Sequence, residues 1–150
     1  MTLLVPFDGS SLAETALERA IRFGNLLNED VLAVTVLPDS TSYATERGWV
    51  EPNEPYDPDE LTAQFEQRVK LLAPEASFET VRPDEVEGST TTMDVVRTIR
   101  EVAKDVEASI LFVGSDNVGR ISEPLASVGS PIATDQHYDV HIVRHATNWE

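Results

Sequence analysis

Short apolar runs and helical stripes alternate along the chain. Leu3-Leu4-Val5-Pro6-Phe7 is an unbroken apolar run, the pattern of a strand buried on both faces. Leu12, Ala13, Ala16, Leu17, Ala20, Ile21, Gly24 and Leu27 then recur at helical spacing. Ser11 and Glu14 have the spacing of a capping box at the start of that helix. Val31 to Leu37 predicts a second strand, ended by Pro38. Residues 39–57 hold many turn formers and little periodicity, which predicts a long loop. At Asp57-Pro58-Asp59-Glu60 an N-cap, a proline at the first helical position and acids in the first turn open a helix. Its stripe is Leu61, Phe65, Val69 and Leu72. Ser77 to Val81 reads as a weaker strand. Thr91 or Thr92 caps a further helix that buries Val95, Val96, Ile99, Val102 and Ala103. Ser109 to Val113 is the clearest strand; a glycine-bearing loop follows, a short helix starts at Ser130-Pro131, and Val140 to Val143 closes as a strand.

Alternation of this kind predicts an α/β fold, with five parallel strands and helices on both faces. The 150 residues suit one domain, 1–150, around one core. In open parallel sheets, ligands bind beyond the carboxyl ends of the strands, where the strand order reverses. Those ends are Asp8-Gly9-Ser10, Val36-Leu37-Pro38, Gly88-Ser89 and Gly114-Ser115. Small residues let a ligand approach the backbone, and exposed amides can hold an anion. The same residues turn and cap any strand–helix junction, so each turn taken singly reads as structural.

The strand Ile110-Leu111-Phe112-Val113, followed by Gly114, Gly119 and Gly129-Ser130, is more specific. It resembles the universal stress protein family, whose motif is a strand, then Gly-x-x-Gly, nine residues, and Gly followed by Ser or Thr. The nine-residue gap is kept between Gly119 and Gly129. Leu4-Val5-Pro6-Phe7-Asp8-Gly9-Ser10 resembles the family's opening strand and turn, residues 31–38 its second strand, and Val140-His141-Ile142-Val143-Arg144 its last. The likeness covers the chain apart from residues 39–75.

The resemblance implies a doubly wound, open, parallel five-stranded sheet of the Rossmann-like, adenine nucleotide alpha hydrolase-like type. It also implies a homodimer formed through Val140–Val143, with His141 near that contact. Family members do or do not bind adenine nucleotides. In binding members the positions matching Asp8 and Val36 hold the nucleoside and meet adenine, and those matching Gly114, Asn117, Gly119, Gly129 and Ser130 hold ribose and phosphate. A helix N-terminus and the Ser130 hydroxyl suit phosphate physically. The expected ligand is ATP or AMP, with magnesium where the tail is long. The expected role is a binding module in the stress response and not a turnover enzyme; the alternatives are a member acting only through protein contacts and a slow ATP hydrolase.

Departures from the motif bear on that site. Four residues separate Gly114 from Gly119, so Asn117 stands at the second glycine position. Asparagine tolerates positive φ better than most residues. Pro131 has no N–H to donate to phosphate. Asp116 and Glu123 repel phosphate, and Arg120 is the only cation between Gly114 and Ser130. A solvated arginine is the plain reading of Arg120, and a phosphate contact the functional one.

Other constellations are weaker. His137, His141 and His145 share strand parity, but neighbours four residues apart on a strand lie ~13 Å apart, too far for one ion. Thr90-Thr91-Thr92 could accept phosphate, but a polar helix entry explains it. Tyr43, Trp49 and Tyr56 either anchor the long loop to the surface or fold over the site as a lid. No Gly-x-x-x-x-Gly-Lys loop, no Ser/His/Asp set and no His-x-Gly-His signature of adenylate-forming enzymes is present.

Charge changes the picture last. Eleven Lys+Arg against 27 Asp+Glu leave a net charge of −16, and only Lys70 and Lys104 are lysines. Such a surface argues against duplex nucleic acid and against anionic membranes as partners. No apolar run approaches the ~20 residues that span a bilayer. The N-terminal run lacks a basic flank and meets Asp8, so a cytoplasmic location is expected. The chain lacks cysteine, which excludes disulfides and thiolate chemistry. Acid-rich, lysine-poor composition is read as salt adaptation of the halophilic archaeal type; an acidic mesophilic protein is the bland alternative. At ~1 M salt the Debye length is about 3 Å, which screens self-repulsion. Thermal melts from ~0.1 to ~3 M KCl should therefore show a large rise in midpoint; a flat profile would remove the salt-adapted reading.

Overall fold

Leu3, Leu4 and Val5 are wholly excluded from solvent, so β1 (Thr2–Pro6) lies inside a sheet covered on both faces. The structure, a computed structural model, describes residues 1–115 and 138–146. Around β1 stand α1 (Ser11–Leu27), β2 (Asp30–Val36), α2 (Thr41–Glu46), α3 (Pro58–Leu72), β3 (Ser77–Val81), α4 (Thr91–Asp105), β4 (Ala108–Gly114) and β5 (Asp139–Val143). The five strands run in the order β3-β2-β1-β4-β5, every pairing parallel. This is the doubly wound α/β sheet expected from the alternation, and its order reverses between β1 and β4.

Successive strand residues point to opposite faces, and each face carries its own core. Leu3, Val5, Val31, Ala33, Phe112 and Val143 pack with Ala13, Ala16, Leu17 and Ala20 of α1 and Val69 of α3. Leu4, Leu32, Val34, Val36, Leu111 and Val113 pack with Val95, Val96, Ile99 and Ala103 of α4 and with Tyr43 of α2. The stripes read from the sequence are thus the buried faces, except that Leu27 is half exposed at the end of α1.

Three local expectations need correction. The N-cap of α1 is Ser10, not Ser11: its backbone is extended and its hydroxyl accepts from the Ala13 amide at 3.1 Å. Glu14 closes no capping box, because both its oxygens accept from Arg68 of α3, at 2.7 and 2.8 Å. The cap of α4 is Thr90, whose hydroxyl accepts from the Met93 amide, so Thr91 already lies inside the helix. The predicted loop of residues 39–57 contains α2, capped by Ser40 and burying Tyr43 and Ala44. Six residues offer too few turns for a stripe to register as a period. Asp57, by contrast, caps α3 ahead of Pro58 as expected. The predicted helix start at Ser130-Pro131 lies outside the described residues.

At the β5 edge, the His141 ring lies 5.0 Å from the Phe112 ring and 5.3 Å from that of Phe23, on the face covered by α1. Arg19 Nη1 stands 3.3 Å from His141 Nε2. Guanidinium only donates, so Nε2 accepts and the imidazole is neutral in this arrangement. His145 is exposed, and His137 lies outside the described residues. Among the described residues, no helix is long and apolar enough to cross a membrane.

Burial, and secondly the Arg19 charge, hold the His141 imidazole below its ordinary pKa of 6.5. The unfolded chain therefore binds the proton more readily. The stability that His141 contributes is present above its unfolded pKa and is lost as pH falls through the lower folded value. Measured as melting temperature from pH ~7.5 to ~5.5, wild type should lose stability relative to His141→Gln. A constant difference between the two proteins would remove this account.

Candidate functional site

At the carboxyl end of β1 the chain is tied before it turns. The Phe7 amide donates to the Val34 carbonyl at 2.7 Å, and the buried Thr35 hydroxyl donates to the Phe7 carbonyl at 2.6 Å. Asp8 and Gly9 then make the turn into α1. The Ser10 amide donates to Asp8 Oδ1 at 3.0 Å, and Gly9 has a φ of 80°. A side chain at Gly9 would be strained by that φ and would also meet the Phe65 ring at 2.8 Å. Phe65 in turn stacks edge-on against Phe7, with centroids 5.4 Å apart.

This turn fixes Asp8, and the segment around α2 closes over it. Arg47 Nη1 donates to Asp8 Oδ2 at 3.0 Å, with the side chains only 16% and 19% exposed. The Trp49 indole N–H donates to the Asp8 carbonyl at 2.9 Å. Trp49 stands edge-on to Tyr43 at 5.6 Å and to Phe65 at 6.0 Å, and the Arg47 guanidinium lies 5.1 Å over the Tyr43 ring. Tyr56 flanks Trp49 at 6.3 Å; burial pushes its phenol up to about 12, with Arg82 pulling the other way, so it stays neutral.

Beneath this cover is a cleft between the ends of β1 and β2 and the first turns of α4. Phe7, Asp8 and Val36 form its floor, Thr92, Val95, Val96 and Ile99 one wall, and Tyr43, Arg47 and Trp49 its cap. Its free interior is about 40 Å³. Small-molecule sites commonly offer ~300–1,000 Å³. The lining is mostly apolar, with Arg47 the only cation and Asp8 the only anion among the described lining residues. The chemistry of this lining, though not its present volume, suits a flat, apolar group with a hydroxyl to offer the carboxylate.

Asp8 and Val36 are therefore brought together, as the sequence resemblance implies. Gly114 stands at the carboxyl end of β4, beside β1 in the sheet, and has a packing role of its own: a Cβ there would meet Leu12 Cβ at 2.8 Å. Asn117, Gly119, Arg120, Gly129 and Ser130 lie outside the described residues. Tyr43 and Trp49 both line the cleft, and they also anchor the segment to the body of the protein, Tyr43 by its burial in the core and Trp49 by its bond to the Asp8 carbonyl. Arg47 went unnoticed in the sequence. Its one signal is that it is the only basic residue between Arg22 and Arg68, in an acidic stretch. The sequence marks Val95, Val96 and Ile99 of the α4 wall only as core, and Thr92 as helix entry or phosphate acceptor.

Residues 1–144 match the universal stress protein family. No curated protein matches the chain. Among solved structures, a universal stress protein in complex with cAMP is 22% identical, with a TM-score of 0.56 and 98% of each chain covered. A protein of the family from Burkholderia pseudomallei is 19% identical, with a TM-score of 0.55 over 95% of this chain and 94% of that one. A universal stress protein from Archaeoglobus fulgidus in complex with dAMP is 20% identical, with a TM-score of 0.50 over 95% of each. These likenesses establish the shared fold.

Proposed function

The chain belongs to the universal stress protein family, and from that premise we propose that it is an adenine-nucleotide-binding module of the stress response, not a turnover enzyme. The observation that carries this reading is the apolar cleft at the end of β1, with Asp8 and Val36 on its floor. Relatives of the same fold hold cAMP and dAMP, which supports an adenine nucleotide as occupant. In this proposal adenine enters the slot beside Val36 and a ribose hydroxyl donates to the Asp8 carboxylate. The phosphates run toward Gly114, Asn117, Gly119, Arg120, Gly129 and Ser130. ATP or AMP is the ligand, with magnesium screening Asp116 and Glu123 when the tail is long. The narrow interior favours one rival, a member that works through protein contacts without nucleotide.

Calorimetric titration of AMP and ATP, with magnesium and at the salt of greatest stability, tests this. Ser130→Ala should weaken binding by about 1 kcal/mol, one hydroxyl bond to a charged group. Asp8→Ala should weaken adenosine as well as ATP, because it acts at the nucleoside end. Pro131→Val restores a backbone donor and should tighten the longer tails most. Absence of heat and of any melting shift at millimolar ATP, in wild type and in Pro131→Val alike, would transfer the assignment to protein contacts.

We further propose a two-fold dimer through β5, which stands at the edge of the sheet. An apolar edge strand invites pairing with a second copy. Light scattering should give a dimer at micromolar concentration and a monomer or unfolded chain for Ile142→Pro. A folded wild-type monomer would count against it.

A further inference from the structure

Several contacts among the described residues hold the segment from Ser40 to Trp49 over the cleft. The Arg47 guanidinium is paired with the Asp8 carboxylate at 3.0 Å. The Trp49 indole N–H is bonded to the Asp8 carbonyl at 2.9 Å. The Tyr43 ring is buried in the core beneath them. The first two grip the residue to which the nucleoside is assigned, and the interior they leave is about 40 Å³, far below the ~300 Å³ at the lower end of ligand sites. A nucleoside and the Arg47 guanidinium therefore compete for one carboxylate oxygen and for one volume. The segment is open to solvent at Gly48, between Arg47 and Trp49, where a Cβ would meet nothing within 4 Å and the backbone is held by local turn bonds, the Gly48 amide donating to the Thr45 carbonyl at 3.0 Å.

We propose that residues 40–49 form a hatch latched by Arg47 onto Asp8, and that Arg47 is the residue that sets the affinity of the site. This rests on the nucleotide reading above and deepens it. The closed form described here is the non-binding state. Opening moves Arg47 and Trp49 off Asp8 and exposes the slot between Val36 and the first turns of α4. The apparent dissociation constant is then the intrinsic one divided by the open fraction. A partly shielded ion pair weakens as salt rises. Wild type should accordingly bind neutral adenosine, which carries no charge of its own to be screened, more tightly at higher salt.

The test uses the full chain with Trp149→Phe, which leaves Trp49 as the one tryptophan of the two in the sequence. Arg47→Gln in that background should raise acrylamide quenching of Trp49. It should tighten adenosine binding roughly tenfold, as a tenfold gain in open fraction requires. It should also flatten the salt dependence. Trp49→Phe keeps an aromatic ring and removes the N–H, and should tighten adenosine in the same direction should the first variant fold poorly. Unchanged quenching in Arg47→Gln, or adenosine affinity unchanged or weaker in both variants, would overturn the hatch. Increased quenching with no adenosine binding by any of the proteins would uphold the moving segment and refute the nucleotide reading instead.

Discussion

Burial of β1 on both faces is the constraint from which the rest follows. Leu3 and Val5 face α1, Leu4 faces α4, and β2 and β4 hold the strand on either side. A strand so enclosed can leave the sheet only at its end, and it leaves at the point where the strand order reverses. Asp8 is the first charged residue beyond that exit. Its position follows from the packing of residues that carry no chemistry, as in open α/β sheets generally.

Asp8 then serves two purposes at once. One carboxylate oxygen shapes the turn by accepting the Ser10 amide, and Ser10 in turn caps α1. The other oxygen faces the cleft and takes Arg47. A single side chain thus starts the helix that covers one face of the sheet and marks the floor of the slot on the other. The structural reading of the Asp-Gly-Ser turn and the functional one are therefore not rivals: the turn holds one oxygen and presents the other.

The scarce cations tie elements together across an acidic chain. Arg68 joins α3 to Glu14 of α1, Arg82 joins the end of β3 to Asp39 beyond β2, and Arg97 pairs with Asp94 inside α4. An exposed pair such as Arg82–Asp39 contributes little, and less at high salt, whereas the Asp94 carboxylate is itself buried. The Arg47–Asp8 pair differs because both side chains are largely shielded from water. It is also the pair that stands where a ligand would go.

Periodicity and local turn chemistry carry far in this sequence. The alternation of apolar runs and stripes determined the strands, the three long helices among the described residues and the parallel sheet, because each pattern is set by neighbours a few residues away. The proline and acids after Asp57 determined the start of α3 for the same reason. Asp8 and Val36 were legible as strand-end residues because strand ends can be read from where an apolar run stops, and the ligand role proposed for them comes from the family resemblance. Tertiary structure alone decided which of the four neighbouring hydroxyl residues from Ser89 to Thr92 caps α4, since a cap requires one extended backbone and not a residue type. It alone placed His141 beneath α1, and it alone brought Arg47 to Asp8 across 39 residues of chain. No local pattern encodes that last contact, because α2 is too short to show a period and its partner lies on another element, so the closure of the cleft is a property of the folded molecule.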